Sequence, residues 1–273
     1  MTDTRLEADY DVLANARGTM PEIAADWFAA SEQASEDLAG KQTISYGGDD
    51  GLAYDVIRPE GSPRGAVIFL HGGFWVQGNK DSVLFPHANF TKAGLYYVAV
   101  TYGLAPRYTL DELVANVEAA AQSFGELAPL LGIDIGRVAL IGHSAGAYLA
   151  AALVISERRP FRPLGSLLVS GLFDLRAIRN LNRIEKVGLS EADAERLTID
   201  GTALAGEGEV ILAIGSREPA GFQLQTATLA QELRQGGASP QTIVGPDCDH
   251  FSIAREMSEP GSELAKAVLR LFA

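Results

Sequence analysis

The chain has 273 residues, of which 47% are hydrophobic and 21% charged, and its formal net charge is −13 at pH 7. This length and composition suit a globular protein with a sizeable core, built as one large domain or two small ones. The acidic balance argues against a nucleic-acid partner and against binding to anionic membranes, because there is no surplus of basic residues to neutralise phosphates.

Strands and helices alternate along most of the sequence. Apolar, β-branched runs predict eight strands, and the later ones are continuously hydrophobic, as expected of strands covered on both faces. The second strand is more mixed, which suits an outer position. The predicted strands are 42–46, 52–58, 66–70, 96–101, 137–141, 166–170, 209–214 and 241–244. The pattern predicts an α/β protein with a mostly parallel sheet of about eight strands and helices on both faces.

Several helices have clear signals at their ends. Residues 109–112 (TLDE) predict a capping box that opens one helix. A later helix near 222–235 is followed by two glycines, a common stop signal, and the last predicted helix covers 262–272.

Two segments lie outside this alternation. Residues 1–40 look helical and partly amphipathic, and residues 174–207 contain a charged helical stretch with a candidate cap at Ser190. Either segment could cover a site at the carboxyl ends of the strands, as a lid or cap insertion, or simply pack on the surface. With no low-complexity linker, repeat or domain boundary in the sequence, we expect a single domain over 1–273.

The single cysteine, Cys248, excludes an intramolecular disulfide. The acidic N-terminus lacks the apolar core of a secretory signal, and the longest apolar runs, such as 147–155, are too short to cross a bilayer. We therefore expect a soluble cytoplasmic protein.

Residues 137–151 (RVALIGHSAGAYLAA) combine a buried strand, a tight turn and an alanine-rich helix. The chain's only G-x-S-x-G, at 142–146, predicts a nucleophile elbow with Ser144 on a strained backbone. Gly142 and Gly146 remove the Cβ clashes that such a turn would create. The helix that follows directs its free N–H groups at a developing anion. The alternative is a glycine-rich turn with an incidental serine.

A serine nucleophile needs a base, and the sequence contains four histidines. His143 is adjacent to Ser144, and we expect its side chain to point away. His71 precedes a glycine pair and is expected to be structural, and His87 lies in a helical stretch. His250 lies in the loop after the last predicted strand, later in the chain than the serine, and is the predicted general base.

The base in turn needs an orienting acid, expected in the loop after the penultimate strand. Glu218 follows strand 209–214 and is the predicted acid. Asp174, which follows the preceding strand, is its rival. The alternative for Glu218 is a solvated loop charge paired with Arg217.

Acyl transfer also needs donors for an oxyanion. The segment 71–75 (HGGFW) follows strand 66–70, and Gly72 and Gly73 are predicted to supply backbone N–H groups, with the N–H of Ala145 opposite them. Phe74 and Trp75 are expected to line the substrate pocket or to brace the loop.

With these motifs, the chain resembles the α/β-hydrolase superfamily, and within it the esterase/lipase group that includes the kynurenine formamidases (arylformamidases). The matching segments run from about residue 40 to the C-terminus: HGGFW at 71–75, GHSAGA at 142–147, SGLFDL at 170–175, the glycine–acid–proline loop at 215–219 and DHF at 249–251. Glu218 stands where the family pattern usually has Asp. Phe74 replaces the third glycine of the HGGG in hormone-sensitive-lipase-type esterases, which favours the formamidase-like side.

The resemblance implies an α/β-hydrolase fold and a serine hydrolase that removes a small acyl group, from a formamide or a short-chain ester, with an aromatic leaving group. It implies no metal or cofactor, and the sequence has no H-E-x-x-H, no Cys/His cluster and no G-x-G-x-x-G behind a strand. The alternatives are a general short-chain carboxylesterase and a non-catalytic binding protein of hydrolase fold. The expected partner is a small-molecule substrate, with no nucleic acid and no membrane, and a homodimer is left open.

Overall fold

A computed structural model describes residues 4–36, 38, 40–48 and 51–273 of the chain. Its centre is an eight-stranded sheet with the order β1-β2-β4-β3-β5-β6-β7-β8. The strands are β1 (Gln42–Ser45), β2 (Ala53–Ile57), β3 (Gly65–Leu70), β4 (Leu95–Thr101), β5 (Val138–His143), β6 (Gly165–Val169), β7 (Glu209–Gly215) and β8 (Gln241–Gly245). In the sheet order, β4, β3, β5, β6, β7 and β8 each pair in parallel with the next strand. In contrast, β2 pairs antiparallel with both β1 and β4. The predicted, mostly parallel α/β sheet is confirmed.

All eight predicted strands are present, and each observed end lies within two residues of the predicted one. The central strands β3, β5 and β6 are buried along their whole length, which explains their continuous apolar sequences. The edge strands β1 and β8 are mostly exposed. The strand expected in an outer position, β2, lies one place in from the edge and is largely buried.

Helices cover both faces of the sheet. They are α1 (Thr4–Asp9), α2 (Met20–Glu36), α3 (His87–Thr91), α4 (Leu110–Leu127), α5 (Ala145–Ile155), α6 (Glu191–Leu197), α7 (Gly201–Leu204), α8 (Ala220–Gln235), α9 (Ser252–Arg255) and α10 (Glu263–Arg270). Short 3₁₀ turns lie at Lys80–Val83, Ala128–Leu131, Asn182–Val187 and Glu256–Ser258. Among the residues described, none of these helices has the length and apolar character needed to span a bilayer.

Side chains of the central strands alternate between two hydrophobic cores, one on each face of the sheet. Along β5, Val138 and Leu140 join the core that α4, α5 and α8 complete. Ala139 and Ile141 join the core that α3, α9 and α10 complete. Because the strands from β4 onward in the sheet order run parallel, their carboxyl ends lie at one edge of the sheet, where the loops that follow them meet.

The predicted helix ends are also observed. The backbone N–H of Glu112 donates to the Thr109 hydroxyl (3.3 Å) and the Thr109 N–H donates to the Glu112 carboxylate (2.8 Å), which closes the capping box of α4. Ser190 caps α6 in the same way. The helix α8 stops at Gly236, and Gly237 follows with φ +89° in the left-handed region.

Candidate active site

Ser144 lies at a sharp turn between β5 and α5. Its φ of +56° and ψ of −122° are strained for a residue with a side chain. A Cβ on Gly142 would lie 2.3 Å from the carbonyl oxygen of Gly146, and one on Gly146 would lie 2.1 Å from that of Leu70. The turn therefore accepts only glycine at these two positions, for the steric reason that the sequence suggested.

The loops after β7 and β8 bring two further side chains to Ser144. His250 Nε2 lies 3.0 Å from Ser144 Oγ, and His250 Nδ1 lies 2.7 Å from Glu218 Oε2. All three residues are at most 3% exposed. A carboxylate that accepts from Nδ1–H leaves Nε2 free to accept the serine proton, so the arrangement has the geometry of a nucleophile, base and orienting acid.

The rival acid is engaged elsewhere. Asp174 pairs with Arg176 at 2.8 Å and also accepts from the Thr198 hydroxyl at 3.4 Å. Burial alone would raise the pKa of the Asp174 carboxyl, but the Arg176 guanidinium lowers it below its ordinary value on balance. Arg217, the alternative partner of Glu218, instead contacts Asp247. Of the carboxylates weighed from sequence, the one that meets His250 is Glu218.

The other histidines are buried. His143 was expected to point away from the site, and that expectation is wrong: its ring lies 4.8 Å from that of His250, and its Nε2 lies 2.8 Å from the His250 carbonyl oxygen. Burial, assisted by His250, lowers the pKa of His143 to about 3, so it is neutral and donates to that carbonyl. His71 stacks on Tyr102 at 4.2 Å, and burial lowers its pKa to about 4, which fits a structural role.

The glycine loop after β3 lies directly against the elbow. A Cβ on Gly72 would be 3.1 Å from the Cβ of Ser144. Within the described part of the chain, no group accepts a hydrogen bond from the N–H of Gly72, Gly73 or Ala145. Ala145 is the first residue of α5, whose N-terminal N–H groups have no acceptor inside the helix. These N–H groups are therefore not taken up by hydrogen bonds within the described residues.

The two aromatic residues of the loop have different surroundings. Trp75 is fully buried, with its ring 5.4 Å from that of Tyr148 in α5, so it braces the loop. Phe74 faces Phe222 at 6.4 Å, and the Phe222 ring lies 4.4 Å from that of His250. Phe74 and Phe222 therefore form an apolar wall beside His250.

The two segments that do not belong to the alternating strands and helices, the N-terminal arm and residues 174–207, contact this wall and each other. From the N-terminal arm (1–40, of which 1–3, 37 and 39 lie outside the described residues), Tyr10 packs on Phe222 at 5.5 Å. From 174–207, the Arg183 guanidinium lies 5.2 Å above the ring of Phe74. Arg183 also pairs with Asp11 of the arm at 3.5 Å. The two segments are thus joined to each other beside the wall of Phe74 and Phe222.

Ligands for a metal do not assemble around Ser144. Across the ranges that the structure describes, no group of three or more His, Cys, Asp or Glu side chains is arranged to hold a metal ion. Within the site, both ring nitrogens of His250 and both carboxylate oxygens of Glu218 already have protein partners.

One functional contact was not foreseen from the sequence. The Ser170 hydroxyl, at the carboxyl end of β6, donates to Glu218 Oε1, which also accepts from the Gly215 N–H at 2.9 Å. Two sequence signals included Ser170: its position at the end of the predicted strand 166–170, and its place as the first residue of the SGLFDL segment at 170–175.

Comparisons with known proteins agree with this architecture. Residues 67–204, just over half of the chain, match the family model of the alpha/beta hydrolase fold. The chain is 27% identical over 241 residues to kynurenine formamidase of Danio rerio, covering 84% of this chain and 80% of that protein. It is also 27% identical over 208 residues to ethyl acetate hydrolase of Pseudomonas putida, and this match covers 68% of this chain and 65% of that protein.

Among solved structures, a provisionally assigned thioesterase of Silicibacter sp. TM1040 is similar in fold. The TM-score is 0.83 at 23% sequence identity, and the match covers 95% of this chain and 98% of that one. The family match includes both the glycine loop at Gly72 and the elbow at Ser144. The chain belongs to the α/β-hydrolase fold family.

Proposed function

We propose that the protein is a serine hydrolase in which Ser144 is the nucleophile, His250 the general base and Glu218 the acid that orients it. The observation that carries this proposal is the continuous relay of 3.0 Å and 2.7 Å hydrogen bonds from Ser144 through His250 to Glu218. A hydrolase fold retained only for binding would usually have lost its nucleophile or base, and this chain has both.

In the acylation step, Ser144 Oγ attacks the substrate's carbonyl carbon while its proton passes to His250 Nε2. The carbonyl oxygen becomes an oxyanion, which the N–H groups of Gly72, Gly73 and Ala145 stabilise. Loss of one such donor typically costs about 3 kcal/mol of transition-state stabilisation.

Collapse of the tetrahedral intermediate breaks the bond to the leaving group. His250 gives its proton to the departing nitrogen or oxygen, and the acyl group remains on Ser144 Oγ. A water molecule then attacks the acyl carbon, with His250 again taking the proton, and Ser144 is regenerated as the acid is released.

The preferred substrate in this proposal carries a small acyl group, with formyl as the smallest, on an aromatic leaving group. Ser144 is 1% exposed, which favours a small group at the reacting carbon. The wall of Phe74 and Phe222 beside His250 suits an aromatic ring. The similarity to kynurenine formamidase over 84% of the chain supports the formamide class.

A general short-chain carboxylesterase is the second candidate, favoured by the similarity to ethyl acetate hydrolase. The test compares kcat/KM for N-formylkynurenine, phenyl acetate and phenyl butyrate, with Ser144→Ala as the background for each substrate. The formamidase proposal predicts efficient deformylation and the poorest turnover with butyrate. Efficient ester cleavage without detectable deformylation would exclude formamidase activity and leave the esterase.

We further propose that the whole chain is one domain and that the N-terminal arm and residues 174–207 together form its cover. Substrate must reach a serine that is 1% exposed, so part of the wall has to move. The contacts between Arg183, Asp11 and Phe74 tie both segments to the site, which makes this junction the natural place for opening.

A further inference from the structure

The carboxyl end of β6 contacts both the nucleophile and the acid. The carbonyl oxygen of Val169 accepts the backbone N–H of Ser144 at 2.8 Å. The next residue, Ser170, donates its N–H to the Ala213 carbonyl of β7 at 2.9 Å and its hydroxyl to Glu218 Oε1. Because β6 lies between β5 and β7 in the sheet, this dipeptide links the two ends of the relay.

The Glu218 carboxylate has its hydrogen bonds divided between its two oxygens. Oε2 faces His250 at 2.7 Å, while Oε1 accepts from the Gly215 N–H at 2.9 Å and from the Ser170 hydroxyl. The Glu218 side chain is 0% exposed. Since the side chain is shielded from bulk solvent, loss of the Ser170 hydroxyl would leave Oε1 with the Gly215 N–H as its remaining protein donor, a costly state for a buried charge.

The backbone at Ser170 makes the presence of a side chain there notable. Its φ is +53°, in the region where glycine is favoured, and the residue is 0% exposed. Strain of this kind persists where the surrounding structure needs it, often at functional sites. Glycine would relieve the strain but would remove the one side-chain hydroxyl that, among the described residues, reaches Glu218.

We propose that Ser170 is a positioning residue of this hydrolase, whose hydroxyl fixes the Glu218 carboxylate so that its other oxygen is aimed at His250. The inference rests on the function proposed above. A glutamate has one more rotatable bond than an aspartate, so a second anchor on its carboxylate reduces the orientations that compete with the one facing the histidine.

The first test is the kinetics of Ser170→Ala with phenyl acetate over pH 5–9. We expect kcat to fall about 10- to 100-fold, the range for a hydrogen bond to a charged group, with KM within about twofold. A rise in KM as large as the fall in kcat would instead indicate a general structural role and would contradict the proposal.

The variant Ser170→Gly distinguishes the effect of the lost hydroxyl from the effect of backbone strain at this position. It also lacks the hydroxyl but is free of the φ strain, so it should fold even if Ser170→Ala does not. We expect it to show the same lower kcat, again with KM within about twofold of wild type. A Ser170→Gly enzyme with the wild-type kcat would overturn the proposal.

A double-mutant cycle tests whether Ser170 acts through Glu218. In a Glu218→Gln background, Ser170→Ala should lower kcat by less than about threefold, because the carboxylate it serves is gone. The same 10- to 100-fold loss in both backgrounds would mean a general structural role and would contradict the proposal. If Ser144→Ala kept wild-type activity, the proposed function itself would be wrong. If Ser144→Ala were inactive and Ser170→Gly kept the wild-type kcat, only the proposed role of Ser170 would be wrong.

Discussion

At the scale of single residues, the site depends on hydrogen bonds between side chains that are far apart in sequence. Ser144 and His250 could be predicted because the elbow has a local sequence signature and the base follows the last strand. Glu218 could be ranked above Asp174 by its position after β7. The contacts of His143 and Ser170 could not be predicted, because they depend on how strand ends and loops from remote parts of the chain meet, which no local pattern encodes.

The choice between the two candidate acids leads to a paired prediction. Glu218→Gln should lower kcat by about 10³- to 10⁴-fold, because a neutral amide no longer holds His250 in the required tautomer. Asp174→Asn should stay within about threefold of wild type, since its partner is the half-exposed Arg176. Steady-state kinetics on phenyl acetate measure both, and a larger loss in Asp174→Asn would reverse the assignment.

The close approach of the glycine loop to Ser144 leads to a second prediction. Gly72→Ala should lower kcat/KM by about 10- to 100-fold, because its Cβ would sit 3.1 Å from that of Ser144 and 3.0 Å from His143 Nδ1. Gly206→Ala is the matched control, since nothing lies within 4 Å of its added Cβ. Equal activity of the two variants would argue against a tight oxyanion loop.

Among the helices and strands, those with a fully buried strand sequence or a clear capping signal could be predicted from the sequence. The fully buried strands β3, β5 and β6 have unbroken apolar sequences, and the capping box at Thr109 marks the start of α4, so these elements are predictable. The packing of α2 is different. Its Trp27 lies against Phe85 and Phe251, which come from two remote parts of the chain, and its amphipathic pattern does not say which surface it meets.

The proposed cover, formed by the N-terminal arm and residues 174–207, predicts that Arg183 limits access to Ser144. Arg183→Ala removes both the ion pair with Asp11 and the contact over Phe74, so the site should open more often. We expect a bulky aryl fluorophosphonate to label Ser144 faster relative to diisopropyl fluorophosphate. Arg179→Ala is the control, because Arg179 pairs with Glu191 inside the same segment. An unchanged ratio in Arg183→Ala, or an equal change in both variants, would contradict the cover.

At the scale of the whole molecule, the two cores on the faces of the sheet enclose neutral histidines beneath the loops. His71 and His143 are buried, with pKa values of about 4 and about 3, against an ordinary value near 6.5. The unfolded chain therefore takes up protons below pH 6.5 that the folded chain does not. Stability from these groups is complete above about pH 6.5 and is lost as the pH falls toward their folded pKa values.

This linkage predicts a stability loss in mild acid. Between pH 6.5 and 5.5, each buried histidine contributes a slope of up to about 1.4 kcal/mol per pH unit to the free energy of unfolding. Urea denaturation at intervals from pH 7.5 to 5.5 measures the slope, and His71→Gln should make it shallower whatever its effect on absolute stability. A flat profile in the wild-type protein would contradict the buried neutral state.

Labelling of the intact protein with a fluorophosphonate, followed by peptide mapping of the adduct, tests whether Ser144 is the nucleophile. The relay from Glu218 through His250 predicts a single adduct on Ser144, no adduct in folded Ser144→Ala and strongly slowed labelling in His250→Asn. A folded wild-type chain that forms no adduct, or forms it on another residue, would contradict the account.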